Sequence, residues 1–183
     1  RNLFNDFYAK DTSKKIRAVF RAKGQSGEHI GKPPFGYIKN PDNKKEWMVD
    51  ETAADVVRKI FDLCIAGKGP MQIGKILEAE KVLNVTAYYA KQDGKELPVN
   101  PYHWNTNSVI RILDRMEYIG CTANFKTYRK SYKLKKQMQN SKENWAIFYD
   151  TQEPIVSKEQ WELVQELRSN KRRNAKTNKQ GLF

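Results

Sequence analysis

The sequence predicts an α+β fold: a mostly helical domain with a helix-turn-helix-like bundle and a small antiparallel sheet, preceded by a long N-terminal helix and a linker. Apolar residues recur at helical spacing in several segments. In shorter segments bounded by turn residues, apolar and polar residues alternate as they do in strands. Four Trp, nine Tyr and eight Phe residues exclude a disordered polycation. A chain of 183 residues buries roughly 70% of its unfolded surface, so it can form a core without disulfides.

The N-terminal part is predicted to be one helix followed by a linker. Apolar residues cluster at 3–8 and again at 16–20, which indicates a helix over 3–23 with a cap or kink at 11–13. Three glycines then predict a flexible linker over 24–34.

The central part is predicted to hold two strands and three helices. Turn residues separate short strands at 37–39 and 46–49. Helices follow over 51–66, capped by Asp50, over 70–80, starting at Pro70, and over 106–116, capped by Asn105. Residues 84–103 are polar and irregular, so we expect a long loop there.

The C-terminal part is predicted to begin as a hairpin and end as a helix. A strand over 119–130 and a strand over 145–149 flank a Lys-rich loop at 131–144. The capping-box sequence that begins at Ser157 predicts a helix to about residue 169. The predicted organisation is therefore a helix over 1–23, a linker over 24–34, a domain over 35–169 and a basic linker over 170–183.

The positive charge of the chain is segregated. The net charge is +13, yet residues 10–33 carry +5, residues 125–143 carry +6 and residues 168–183 carry +6, which leaves −4 for the rest. Segregated positive segments suit a polyanion, whose counterions are released on binding. We expect double-stranded DNA as the partner; a merely solvated basic face is the alternative for any single segment.

Two segments have the residues that read DNA. Thr106, Asn107, Arg111 and Arg115 point away from the apolar stripe of the helix predicted over 106–116. Arg can contact guanine and Asn adenine if such a helix enters the major groove. The alternative is that they are ordinary exposed residues, with Arg115 pairing with Asp114 or Glu117. The linker, which includes Gln25 and Lys32, could lie in a minor groove or act as a plain tether.

Catalysis finds little support in the sequence. His29 and His103 lie in predicted loops without adjacent acidic or thiol ligands, and no paired-carboxylate motif or phosphate-binding loop is present. Cys64 and Cys121 belong to no metal-binding pattern and are expected to be buried thiols. We expect no catalytic residue, no metal, no cofactor and no membrane span.

Several motifs resemble the region that follows the catalytic domain in large serine recombinases. The segment 10–18 (KDTSKKIRA) and the segment 31–37 (GKPPFGY) carry this resemblance. Further similar motifs follow in order at 60–77, 104–120 and 153–161. The start of the chain looks most like the recombinases of mobile bacterial elements.

The resemblance implies that this chain is the central domain of a longer enzyme. A separate N-terminal domain would carry the nucleophilic serine, residues 1–23 would end its long helix, and 170–183 would lead to a zinc-binding domain. The parent would act in the bacterial cytoplasm, as a dimer on each attachment site or transposon end and a tetramer in synapsis, while this chain alone would be inactive and bind no metal.

The predicted DNA-binding residues are distributed over all the basic segments and one helix. They are Lys14, Lys15, Arg17, Arg21, Lys23, Gln25, Lys32, Thr106, Asn107, Arg111, Arg115, Lys126, Arg129, Lys130, Lys133, Lys135, Lys136, Arg172 and Arg173. Two alternatives remain. A DNA- or RNA-binding regulator could stack bases on Tyr128 and Tyr132, and a nuclease would need a carboxylate metal site that the sequence does not contain.

Overall fold

The structure, a computed structural model, describes residues 3–130 and 136–177, with side chains described within 4–130 and 136–170. The helices in these residues are α1 (Leu3–Gln25), α2 (Glu51–Ile65), α3 (Pro70–Ala79), α4 (Val85–Gln92), α5 (Thr106–Leu113) and α6 (Lys158–Thr177). The strands are β1 (Tyr37–Lys39), β2 (Trp47–Val49), β3 (Thr122–Asn124), β4 (Thr127–Tyr128), β5 (Met138–Gln139) and β6 (Ala146–Phe148). The strands form the pairs β1–β2, β3–β6 and β4–β5. The predicted α+β class is confirmed.

The chain divides into two compact units. Unit 1 comprises Arg1–Pro33, Lys39–Met48 and Gly120–Glu153. Unit 2 comprises Pro34–Ile38, Val49–Ile119 and Pro154–Phe183. Residues 120–153 of the predicted domain over 35–169 therefore belong to the same unit as α1.

Unit 2 is built around packed helices. Helix α2 packs against α3, α5 and α6, and α3 packs against α5. Their fully buried side chains are those that the helical periodicity places inward: Val57, Ile60 and Phe61 of α2, Ile73 and Leu77 of α3, and Val109 and Leu113 of α5. Burying each such side chain contributes roughly 1.5–3 kcal/mol, so this cluster is the core of unit 2.

Asp50 links the start of α2 to α4. Its carboxylate accepts the Ala53 amide at 3.5 Å, as an N-cap does, and the Tyr88 hydroxyl at 2.7 and 2.8 Å. Burial, together with the hydrogen bond to Asp50, raises the pKa of Tyr88 to about 12, so this phenol stays a neutral donor at physiological pH.

The expected long loop over 84–103 is wrong at its start, where α4 forms. Asn84 caps this helix by accepting the Ala87 amide at 3.0 Å, and Ala87 is fully buried. The segment has weak helical periodicity because Ala87, together with the rings of Tyr88 and Tyr89 that contact Phe35, holds the helix in place of an apolar stripe.

Tyr118 is the central buried side chain of unit 2. Its hydroxyl donates to the Phe35 carbonyl at 2.8 Å, and its own carbonyl accepts the amides of Ile155 and Val156 at 2.9 and 3.2 Å. Burial raises the pKa of this phenol well above its usual value, so it remains a donor. Tyr118 thereby joins three segments that are distant in sequence.

Helix α5 ends three residues earlier than predicted, and side chains of α6 donate to backbone carbonyl groups at and just after its end. The Gln165 amide donates to the Leu113 carbonyl at 2.7 Å and the Trp161 indole donates to the Arg115 carbonyl at 3.1 Å. Arg168 also pairs with Asp114. Helix α6 itself continues to Thr177, so the linker expected from residue 170 begins as helix.

In unit 1, the single strand predicted over 119–130 is two strands. β3 pairs antiparallel with β6, with Ala123 opposite Ile147, so the predicted hairpin partner at 145–149 is confirmed. β4 pairs antiparallel with β5, which lies inside the expected loop 131–144. The break falls at Phe125, whose φ of +59° is incompatible with an extended strand.

Helix α1 is uninterrupted through residues 11–13, where a cap or kink was expected. In the part of the chain that the structure describes, no helix has the length and apolar character needed to cross a membrane.

Replacing Tyr118 with Phe should lower the free energy of unfolding by about 1–2 kcal/mol, because the buried Phe35 carbonyl would lose its donor. Urea denaturation followed by circular dichroism measures the change. Tyr149→Phe, at a side chain that is 61% exposed, is the control and should leave the midpoint unchanged. Equal midpoints for the two variants would show that this hydrogen bond stabilises nothing.

Candidate nucleic-acid interface

Helix α1 ends in a closed turn. The Glu28 amide donates to the Lys23 carbonyl and the Ser26 amide to the Ala22 carbonyl, both at 3.1 Å. Gly27 has a φ of +84°, the left-handed conformation that this type of helix end requires. The linker expected from residue 24 therefore begins as the last turn and the cap of the helix.

The side chain of Asn124 on β3 holds this turn. Asn124 is buried, and its Nδ2 donates to the Gly24 carbonyl at 3.1 Å and to the Glu28 carbonyl at 2.9 Å. A Cβ at position 24 would lie 2.3 Å from the Phe125 ring, so glycine is needed for this close approach. One amide group thus fixes the end of α1 against β3.

Further contacts extend this attachment along the predicted linker. The His29 ring stacks on Trp47 with centroids 3.6 Å apart, and its Nδ1 lies 3.0 Å from the Thr122 hydroxyl. Lys45 pairs with Glu28 at 2.9 Å, and this hydrogen bond lowers the pKa of the Glu28 carboxyl. Residues 24–29 are consequently bound to the strands of unit 1, while Lys32 is exposed.

A groove of about 920 Å³ runs between α1 and the β4 segment of unit 1. On the helix side it is lined by Tyr8, Ala9, Thr12, Ser13, Ile16, Arg17, Phe20 and Arg21. On the other side it is lined by Ile30, Phe125, Thr127, Tyr128, Arg129 and Gln137. The groove therefore combines apolar and aromatic surface with guanidinium groups.

Three of the predicted DNA-binding residues meet in this groove. Arg17 and Arg21 come from α1, and Arg129 follows β4 more than a hundred residues later in the chain. None of the described residues that line the groove is acidic. The fold thus brings two separate basic segments to one surface that attracts anions.

The other predicted DNA-binding residues of α1 lie on different faces of the helix. At a helical spacing of 100° per residue, Lys14 and Gln25 lie on the same stripe as Arg21, whereas Lys23 lies on the opposite side. Lys15 forms an exposed ion pair with Asp11 at 2.9 Å. The stripe that contains Lys14 and Arg21 is therefore the basic face of α1.

The predicted basic residues after β3 are mostly exposed. Arg129, Lys130 and Lys136 have exposed side chains, while Lys126 is half-buried, with its ammonium group 5.4 Å from the centre of the Trp145 ring. Lys133 and Lys135 lie outside the described residues. Lys126 accordingly has a structural contact that the other described members of this segment do not share.

In unit 2, Thr106, Asn107 and Arg111 are exposed on α5, as predicted. Arg115 differs, because α5 ends before it and its guanidinium lies 3.6 Å from the Glu117 carboxylate. The expectation that Arg111 and Arg115 share one helical face is wrong for this reason. Arg172 and Arg173 lie in the last turns of α6, and their side chains are outside the described part.

No local sequence signal pointed to three residues that shape the groove. Phe125 and Ile30 line it although they belong to an expected strand and linker, and Asn124 holds the two sides in register. Only the spatial approach of β3 to the end of α1 reveals these roles. A positive φ at a bulky residue such as Phe125 is rare and is visible only in the structure.

The two histidines and the two cysteines are not among the residues that line the groove. His103 lies 3.4 Å from the Glu78 carboxylate, a contact that the sequence did not indicate. Cys64 and Cys121 are both buried, as expected. Within the described residues no group of three or more His, Cys, Asp or Glu side chains is arranged to hold a metal ion.

One family profile matches most of the chain. The profile of the family described as Recombinase matches residues 51–171. A comparison with curated proteins finds no match. A crystal structure of an LSR–DNA complex is similar over 85% of this chain and 38% of that chain, with 19% identity and a TM-score of 0.48.

A second similar structure comes from work on the sequence requirements of the Listeria innocua prophage attP site. It covers 85% of this chain and 51% of that chain, with 20% identity and a TM-score of 0.42. The chain thus spans about half or less of the length of these two solved chains.

Replacing Asn124 with Ala should release the end of α1, since the buried Gly24 carbonyl loses its donor at a cost of roughly 1–3 kcal/mol and the partly buried Glu28 carbonyl loses the same donor at a smaller cost. Hydrogen exchange of the Ser26 and Glu28 amides should become faster, while exchange in α2 stays unchanged. Asn43→Ala, at an exposed asparagine that bonds Glu46, is the control. Unaltered exchange at Glu28 in the Asn124 variant would contradict the proposed attachment.

Proposed function

Because the chain belongs to the Recombinase family, matched over residues 51–171, we propose that it is the DNA-binding domain of a serine site-specific recombinase. In this proposal it binds one half of an attachment site or transposon end as double-stranded DNA. The observation that carries the proposal is the meeting of Arg17, Arg21 and Arg129 on one surface of unit 1 whose described lining has no acidic residue. Phosphate neutralisation by Lys and Arg supplies much of the affinity of such proteins.

The two units contribute different kinds of contact in this proposal. In unit 1, the basic face of α1 and the residues after β4 contact phosphates and set the position of the protein on the duplex. In unit 2, the exposed side chains of Asn107 and Arg111 on α5 contact base edges. Arg115 contributes to the stability of unit 2 through Glu117 rather than to base recognition.

Family membership also supports the larger proposal from the sequence. The parent enzyme would integrate or excise a mobile element, acting as a dimer on each site and a tetramer in synapsis. The domain over 35–169 would supply sequence recognition, and a separate serine-bearing domain would supply the chemistry.

The double variant Arg17→Ala/Arg21→Ala tests the phosphate contacts. Binding to an attachment-site duplex should weaken. The negative slope of log affinity against log salt should become shallower by about 1.8, since each lost phosphate contact removes about 0.9 from its magnitude. Fluorescence anisotropy over a salt titration measures both quantities. Lys91→Ala/Lys95→Ala removes the same charge outside the basic segments and should leave the slope nearly unchanged. Equal slopes for the two double variants would refute the groove as a phosphate-binding surface.

Substitution of Arg111 tests base recognition. Arg111→Ala should lose about 1–3 kcal/mol of affinity for the specific duplex and much less for a random one. Arg115→Ala should instead lower thermal stability and leave the preference between the two duplexes nearly intact. A competition assay with specific duplex, random duplex and single-stranded RNA measures the preference. Tighter binding to the RNA would favour an RNA-binding regulator and reject this proposal.

A further inference from the structure

The groove of unit 1 has more apolar surface than phosphate binding requires. Ile16 is 51% exposed, Phe20 49% and Tyr128 41%, and all three line it together with Phe125. The phosphate groups of a duplex offer no apolar surface against which these side chains could be buried. Exposed apolar clusters of this kind are typical of sites that bind another macromolecule through its apolar side chains.

The apolar and basic residues of the groove are arranged in rows. Along α1, Tyr8, Thr12, Ile16 and Phe20 follow one another every fourth residue, and Arg17 and Arg21 follow one position later. From Tyr8 to Arg21 this face is about 20 Å long, which is enough for a partner helix of three to four turns. Across the groove, Arg129 places a third guanidinium on the opposite wall.

This arrangement defines the chemistry of the occupant. We propose that the groove binds an acidic amphipathic segment of a protein partner, whose apolar face contacts Ile16, Phe20 and Phe125 and whose carboxylates pair with Arg17, Arg21 and Arg129. Charge complementarity and the apolar lining together select this occupant, since the described lining carries three guanidinium groups, no carboxylate and the exposed side chains of Ile16 and Phe20. A second copy of α1 would bring the same arginines face to face, and a flat bilayer would not fill a concave surface.

The consequence is regulatory, and this part rests on the proposed function. Arg17, Arg21 and Arg129 are also the groups assigned to phosphates, so partner and duplex exclude each other at the groove. An acidic partner would therefore weaken DNA binding by unit 1 while leaving the exposed face of α5 available.

The test uses a fluorescent synthetic peptide of about 14 residues, with Leu on one helical face and Glu on the others. A scrambled peptide of the same composition, in which Leu does not form a face, is the control. At an ionic strength of about 150 mM, the amphipathic peptide should bind this chain about 10-fold more tightly than the scramble. Comparable affinities of the two peptides, or binding of neither, would overturn the proposal.

A matched pair of variants separates the peptide from the duplex. Ile16→Ser should weaken peptide binding about 10-fold and change duplex affinity by less than about 2-fold, because Ile16 offers apolar surface only. Val19→Ser is the control, since Val19 is 55% exposed on the same helix but does not line the groove. Equal peptide affinities of these two variants would also overturn the proposal.

The remaining measurements distinguish this occupant of the groove from the alternatives. Excess unlabelled peptide should displace the duplex from wild-type protein, and failure to do so would overturn the regulatory part. If anionic vesicles bind in an Ile16-dependent manner and the peptide does not bind, the occupant of the groove is a membrane. If Ile16→Ser instead dissociates a dimer of this chain, the occupant is a second copy of the chain. Peptide binding without duplex binding would reject the proposed function and leave this inference standing.

Discussion

The two hydrogen bonds from Asn124 are the constraint on which the candidate interface depends. They connect the carbonyl groups of Gly24 and Glu28 to β3, so the end of α1 has one direction in unit 1. Together with the contact of His29 with Thr122, this attachment brings the segments that carry Arg17 and Arg129 to one surface. The bond to Gly24 is the more effective of the two because it is buried, where a carbonyl that loses its donor cannot turn to water, whereas the bond to Glu28 is partly buried. A charged surface that acts as a whole therefore depends on one neutral amide.

In unit 2, buried hydrogen bonds again join segments that are distant in sequence, and here Tyr118 makes them. The Tyr118 hydroxyl and carbonyl bond to Phe35 and to the start of the segment before α6, and Gln165 completes the end of α5. Satisfying these backbone groups in the interior gives α5 a defined end. The exposed residues of α5 take no part in the core of unit 2, so they are available for contacts with a ligand.

The groove has two chemical characters, which suit different classes of partner. Guanidinium groups attract phosphates and carboxylates alike, whereas Ile16, Phe20 and Phe125 contribute only if the partner has apolar side chains. A surface of this composition supports competition between a nucleic acid and an acidic protein segment. The proposed division between phosphate contacts in unit 1 and base contacts in unit 2 would let such competition change affinity without changing sequence preference.

The sequence by itself determined the α+β class, α2, α3, the hairpin strands, the segregated charge and the family, which the match over 51–171 confirms. These features depend on local periodicity, caps and motifs. The tertiary structure decided where α5 ends, that α4 exists, that the strand breaks at Phe125, and which arginines meet in a groove. Each of these depends on a hydrogen bond or a buried contact between residues distant in sequence, such as Asn124 with Gly24, and no local pattern encodes such a pairing.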